Sequence, residues 1–333
     1  MNAPTQAAPL QLKHWTLDWA HGALSVQALG GMLAPVSFKL ANGNTVSPLQ
    51  VTPWQADPAL PGILRGLRGS WPCLPFGMTQ APAGLPAHWQ THAADNQWDH
   101  GFAANHEWQR LAQDEFSLTI GIDLPETEAI AHLSQTIRVD PNAAALEVTL
   151  QVAARREITL PFALHPTFAV PAAGGVEVVG CDFESIQTYP VPQEPGVSMI
   201  QPNQRASSLA QLPAVGGHMD VTHLPLPFKT EELFQLQACK PPFLLRYAAA
   251  GATVALDWDA EILPDALVWI SNAGRDYAPW NGRHYAIGIE PANSFYDLGR
   301  VVNPPKDHAL AARRGLHFTP DKRVHISWRL SAV

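Results

Sequence analysis

Apolar and polar residues alternate with period two along most of this chain. Trp15, Leu17 and Trp19 alternate with Thr16 and Asp18. Phe116, Leu118, Ile120 and Ile122 alternate with Ser117, Thr119 and Gly121. The same beat returns at Leu146–Val152, Val254–Trp258 and Val324–Leu330. Successive side chains of a strand point to opposite faces, so each run predicts a strand with one buried face. Asn42-Gly43 between two such runs predicts a tight hairpin, and Asp140-Pro141-Asn142 predicts a turn before the run at Leu146. Helical periodicity is almost absent. Thr230-Glu231-Glu232 has the composition of a helix start, with acids near the positive N-terminal end, and predicts one short helix through Cys239. No βαβ alternation or fixed-period repeat occurs, which argues against a parallel sheet. The Pro-, Gly-, Gln- and Ser-rich stretch Val191–Pro227 reads as a long excursion within one sandwich, because alternation resumes on both sides. Residues 1–333 are therefore expected to form a single all-β domain.

Composition narrows the function classes. Charged residues make up only 15% of the 333, against about a quarter in typical domains, as suits sheets with few solvated helices. A net charge of −8 disfavours nucleic acid and anionic membrane surfaces as partners. Three widely spaced cysteines, Cys73, Cys181 and Cys239, form no CxxC pair, so a disulfide framework is not expected and a reducing cytoplasm is. The segment Met1–Gly22 lacks the basic start and apolar run of a signal peptide, and no apolar stretch is long enough to span a bilayer.

The common catalytic signatures are missing: no GxSxG, P-loop, GxGxxG or HExxH. His106-Glu107-Trp108-Gln109-Arg110 begins like the last of these, but Arg110 replaces its second histidine. His88 and His92 have metal-ligand spacing for a helix, yet Pro82, Gly84 and Pro86 make their segment a loop, so no metal is expected. Three short segments remain. In Asp99-His100-Gly101-Phe102 the glycine permits close backbone approach beside the imidazole. In Leu160–Phe168 an apolar strand delivers His165 directly before Pro166, which holds it extended. In Ile287-Gly288-Ile289-Glu290-Pro291 a carboxylate is set in an apolar run. Desolvation there raises a carboxyl pKa towards neutrality, where a general base works best. Each segment also has a plain structural reading: Glu290 paired with an arginine, His165 as a core histidine, His100 as a turn residue.

In this order the three segments resemble the aldose 1-epimerase (galactose mutarotase) superfamily, and the likeness runs from about Leu64 to Leu330. Gly69–Gly77 looks like the family's Pro-rich segment, and Leu316–Leu330 like its closing strand pair. The resemblance implies a large antiparallel β-supersandwich of galactose mutarotase type. It also implies an isomerase needing no cofactor and acting on a small-molecule sugar, an aldohexose or a derivative of one. Glu290 matches the catalytic base, His165 the general acid and His100 the second histidine at the ring oxygen. Gly77-Met78-Thr79 stands where the family carries an Asn-Arg pair, so Arg65 and Arg68 become the candidate sugar-binding cations, with Asp220 as candidate aspartate. Trp269 and Trp280 offer indole faces for a sugar, or else pack in the core. A monomer or homodimer is expected. The missing Asn-Arg pair motivates an alternative, a non-catalytic carbohydrate-binding protein on the same scaffold, and a lyase or glycoside-processing enzyme is a third reading.

Overall fold

A computed structural model describes residues 12–333, so the first half of the leader question posed by Met1–Gly22 lies outside the described residues. The predicted strands form. Trp15–Trp19 lies in His14–Trp19, and the later runs lie in Ser117–Asp123, Ala145–Ala154, Ala252–Trp258 and Val324–Ala332. All but the first join one nine-stranded antiparallel sheet. Its order is His223–Leu224, Val176–Asp182, Lys240–Tyr247, Ala252–Trp258, Val324–Ala332, Ala145–Ala154, Ile130–Val139, Ser117–Asp123 and Gln109–Gln113. Asn42 and Gly43 turn the chain between Leu33–Lys39 and Thr45–Val46, with Gly43 at the positive φ of 84° that such a turn requires.

An eight-stranded sheet faces it. At its centre lie Thr230–Gln237, Asp265–Asn272 and Tyr285–Asn293, flanked by Ser185–Thr188 on one side and by Phe162–Leu164 and Thr167–Ala169 on the other. The alternation of these strands can be read from their register. Leu233 pairs Trp269, which pairs Gly288; Gln235 pairs Leu267, which pairs Glu290. Phe234, Val268 and Ile289 therefore point one way, into the cluster that also holds Leu118, Val148, Leu256 and Trp328 from the nine-stranded sheet. Together the two inner faces make a sandwich core. Leu233, Leu267 and Trp269 point the other way, into a second buried cluster with Trp71, Phe76, Trp280 and Phe295. Loops cover that outer face, so every residue of Thr230–Gln237 and Asp265–Asn272 is buried.

The helix expected from Thr230 to Cys239 is not formed; the segment is a strand. Its acids do other work. Glu232 accepts bonds from the backbone N–H groups of Met199 (2.6 Å) and Ile200 (3.1 Å) and from the Thr230 hydroxyl. This carboxyl ties the Val191–Pro227 excursion to the sheet. The excursion starts beside the eight-stranded sheet, where Arg205–Ala206 pairs Ser185–Thr188, and ends as the edge strand His223–Leu224 of the other. The expected closing pair is also split: Leu316–Phe318 pairs Ile158–Leu160, whereas Val324–Ala332 joins the large sheet. Among the described residues helix is limited to the single turn Phe102–Asn105 and two 3-10 turns. Among the described residues no helix is long and apolar enough to cross a membrane.

Candidate functional site

A cavity of about 470 Å³ opens on the outer face of the eight-stranded sheet, within the range of small-molecule pockets. His100, His165 and Glu290 all line it, although they are distant in sequence. The strand Tyr285–Asn293 sends Ile287 and Ile289 into the core and Glu290 into the cavity. Gly288 makes room for the carboxyl: a Cβ there would lie 2.9 Å from Glu290 Oε1 and 3.4 Å from the Cβ of Trp269. His165 sits where the chain leaves Phe162–Leu164 and re-enters pairing at Thr167. Its N–H donates to Trp71 O (2.9 Å), and Pro166 O accepts from Ile289 N–H (2.9 Å), fixing the bend against the strand that bears Glu290. Trp71 stacks on the imidazole with centroids 4.1 Å apart and planes at 18°. Nδ1 lies 3.3 Å from Thr167 Oγ1, which leaves Nε2 facing Glu290 Oε1 at 3.3 Å.

His100 reaches the same spot from a loop. Its φ of 59° is left-handed, and its N–H donates to Gly77 O (2.8 Å). Gly101 is required there, since a Cβ would lie 2.2 Å from Leu74 O at a φ of 88°. The His100 ring meets His165 edge-on at 5.3 Å, and its Nδ1 is buried without a protein partner. Arg300 organises this loop from behind, donating to Trp98 O (2.7 Å) and the Asn96 side chain (2.8 Å).

Burial sets the charge states. Glu290 and His165 side chains are only 3% and 8% exposed, which penalises both charged forms. Burial, with Asp297 nearby, pushes the Glu290 carboxyl well above the ordinary range. Burial, with His100 beside it, pushes His165 well below its own. His100 is lowered to about 4, again chiefly by burial. Asp297, which accepts from Tyr189 Oη (2.8 Å), is raised by burial to about 6.

The other end of the cavity is aromatic and holds one guanidinium. Trp269 and Trp280 line it, their rings 6.0 Å apart and nearly perpendicular. Arg275 lies over both, 4.7 Å from the Trp280 centroid and 5.4 Å from that of Trp269. Glu231 lies beneath, accepting from Trp269 Nε1 (3.1 Å), Ser271 Oγ (2.8 Å) and Gly274 N–H (3.2 Å).

Arg65 and Arg68, the cations chosen from the sequence, do not line this cavity. Arg65 donates to the Gly62 and Asn105 carbonyls and holds their turn together. Arg68 donates to Gly66 O and borders a separate small cleft. Both are used up locally because their segment folds back on itself. Asp220 is exposed and accepts from Thr222, also outside the cavity. His88 and His92 are exposed, and among the described residues no cluster of three or more metal-ligating side chains occurs. Sequence reasoning missed Arg275, Asp297 and Glu231. A signal for Arg275 existed, since it stands between the two tryptophans already singled out; Asp297, in an unpatterned loop, offered none.

No protein-family model matches the sequence, and no curated protein does. Solved structures do. Slr1438 from Synechocystis sp. PCC 6803 superposes with a TM-score of 0.65 at 14% identity, over 100% of this chain and 99% of that one. A GalM/aldose epimerase homologue from C. elegans gives 0.60 at 11% identity, over 97% and 99%. A galactose mutarotase-like protein from Clostridium acetobutylicum gives 0.58 at 14%, over 98% and 99%. At such identities the likeness concerns architecture: the chain has the galactose mutarotase-like sandwich.

Proposed function

We propose that this protein interconverts the α and β anomers of an aldohexose or a hexose derivative, opening the ring by acid–base catalysis. The observation that carries the reading is the contact of Glu290 Oε1 with His165 Nε2 at 3.3 Å, buried in a cavity that His100 also lines. The pair holds one proton between two groups. With the proton on His165, the Glu290 carboxylate removes the proton of the anomeric hydroxyl while His165 protonates the ring oxygen. The C1–O bond to the ring oxygen breaks and C1 becomes a carbonyl. Glu290 is then a neutral carboxylic acid and His165 a neutral imidazole, the forms that burial favours, so the protein environment assists ring opening. Rotation about C1–C2 and reversal of the transfers close the ring with the opposite configuration. The pair regains its starting proton, so no external acid is consumed. In this reading His100, whose ring meets that of His165 edge-on at 5.3 Å, hydrogen-bonds the ring-oxygen side. The planar indoles of Trp269 and Trp280 suit the C–H faces of a pyranose.

The test is anomer exchange measured by NMR magnetisation transfer or polarimetry over a panel of aldoses, with spontaneous rates subtracted. Acceleration by the wild-type chain, lost in Glu290→Gln, supports the reading. Sugar binding without acceleration favours a carbohydrate-binding role, and a product of altered mass a lyase.

A further inference from the structure

Two of the three cysteines meet at a corner of the sandwich, away from the cavity. The chain crosses between the two large sheets there twice. Val176–Asp182 leads into Ser185–Thr188, and Thr230–Gln237 leads back into Lys240–Tyr247. The crossings run side by side in opposite directions: Asp182 pairs Lys240, Ser185 pairs Gln237, and Glu184 N–H donates to Gln237 O (2.8 Å). Cys181 stands at the start of the first crossing and Cys239 within the second, and both side chains pack on the sandwich core. Their thiols face each other. The Cys239 S–H has two acceptors in reach, Leu236 O at 3.7 Å and the Cys181 sulfur, which also accepts from the Lys240 N–H. Cys239 is buried, whereas Cys181 keeps part of its surface in water. Neither lines the cavity, and the proposed proton transfers use neither.

This corner makes the two thiols unequal. The hydrogen bond from Cys239, helped by the Lys240 N–H, brings the Cys181 thiol below its ordinary value despite partial burial. The same bond, together with burial, holds the proton on Cys239. Cys181 is therefore the sulfur equipped to attack, and Cys239 the one waiting beside it. Cys73 is the contrast: it is wholly buried, and burial pushes its thiol well up. We propose that Cys181 and Cys239 form a peroxide-sensitive dithiol, a modification site that a small hydroperoxide converts to a disulfide across the corner. The Cys181 thiolate attacks one peroxide oxygen. The S–O bond forms, the O–O bond breaks, and the departing hydroxide leaves as water with the proton that Cys181 gave up. Cys239 then attacks the sulfenic sulfur. The S–S bond forms, the S–O bond breaks, and the second hydroxide leaves as water with the Cys239 proton. In sum the two thiols lose two electrons and two protons, and hydrogen peroxide becomes two waters. A pair of this kind rests as a dithiol in a reducing compartment and closes transiently under oxidant. The bridge makes 182–238 a covalent loop, which includes Gln193 and Leu233 of the cavity wall.

The experiment treats the folded, fully reduced full chain with equimolar hydrogen peroxide. Remaining thiols are then alkylated in denaturant, and peptides are mapped by mass spectrometry without reductant. One cross-link is expected, between the peptides of Cys181 and Cys239, two hydrogens lighter than their sum and released by dithiothreitol. Cys73 is expected to stay reduced, reacting at least about tenfold more slowly than Cys181. In Cys239→Ser the reaction is expected to stop at the sulfenic acid of Cys181, which dimedone traps. Circular dichroism checks that this variant folds; if it does not, the wild-type cross-link decides alone. A cross-link that involves Cys73, joins two chains or forms only after unfolding overturns the inference, and so does peroxide treatment that leaves all three thiols free. None of these readouts depends on anomer exchange, so the dithiol and the catalytic proposal stand or fall separately.

Discussion

The two large sheets solve different problems with the same backbone pattern. In the nine-stranded sheet one face packs and the other meets water, so Ala145–Ala154 alternates buried and partly exposed positions almost throughout. Its outer face carries inexpensive polar contacts, such as Thr119 against Thr136 and Thr149 against Ser327, both at 3.0 Å. In the central eight-stranded sheet both faces are buried, and the second holds Glu231, Gln235, Asp265, Ser271 and Glu290. Ionisable groups that would rest cheaply in water are there desolvated, paired and shifted in pKa. The contrast teaches where to look for chemistry: on the sheet face whose polar residues have lost their solvent.

The comparison is broken most sharply by Glu290→Gln. Loss of a proton-transfer group is expected to cut exchange by about a hundred- to ten-thousandfold with the fold intact. The wild-type rate should have an acid limb set by His165 and an alkaline limb set by Glu290. The acid limb appears only when His165 gains a second proton for the pair, below its ordinary 6.5 because burial lowers it, and the alkaline limb only when Glu290 loses its own, above its ordinary 4.5 because burial raises it. An acid limb above pH 6.5 or an alkaline limb below pH 4.5 would contradict this charge assignment.

A cavity cut into the sandwich core should do the opposite. Trp328→Ala, inside the nine-stranded sheet, is expected to cost about 3–5 kcal/mol in urea unfolding while the folded fraction keeps its exchange rate. Asp297→Asn gives a pH-dependent effect of the next size. The native carboxyl titrates at about 6 instead of 3.8, so the folded state binds more protons between these values and stability falls as pH rises through them. The penalty, about 3 kcal/mol from roughly two pKa units, is complete above pH 6 and absent below pH 3.8. Asn still accepts from Tyr189, so the variant should be more stable than wild type at pH 8 and no more stable near pH 3.8. Equal gains at both pH values would disprove the linkage. Removing Asp297 also lets the Glu290 carboxyl fall, moving the alkaline limb of the exchange profile down. The smallest effect belongs to Thr136→Ala on the solvated face: below about 1 kcal/mol, with exchange unchanged.

The two sheets were unequally legible. Period-two runs named four strands of the nine-stranded sheet because water on one face enforces polar residues there. Thr230–Gln237 was misread as helical because both its faces are buried and its acids serve the interior, so no solvated stripe marked its period. At the site, His100, His165 and Glu290 were visible because proline after His165 and Glu290 restricts the backbone and glycine after His100 permits a close approach. Arg65 and Arg68 were misplaced because sequence proximity to the Pro-rich segment says nothing about which carbonyls a guanidinium meets. Arg275 enters the cavity from a loop between Trp269 and Trp280, whose rings meet edge-on, as do those of Trp54 and Trp280.

By itself the sequence determined the antiparallel β class, since alternation and turn residues are local properties of the chain, and it supplied the inventory of groups able to move protons. Tertiary structure alone decided which of them share a cavity, which lose their water and hence their ordinary charge, and which arginine stands among them. Desolvation and Coulomb energy depend on distances through space, and those exist only once the second face of the central sheet has been covered.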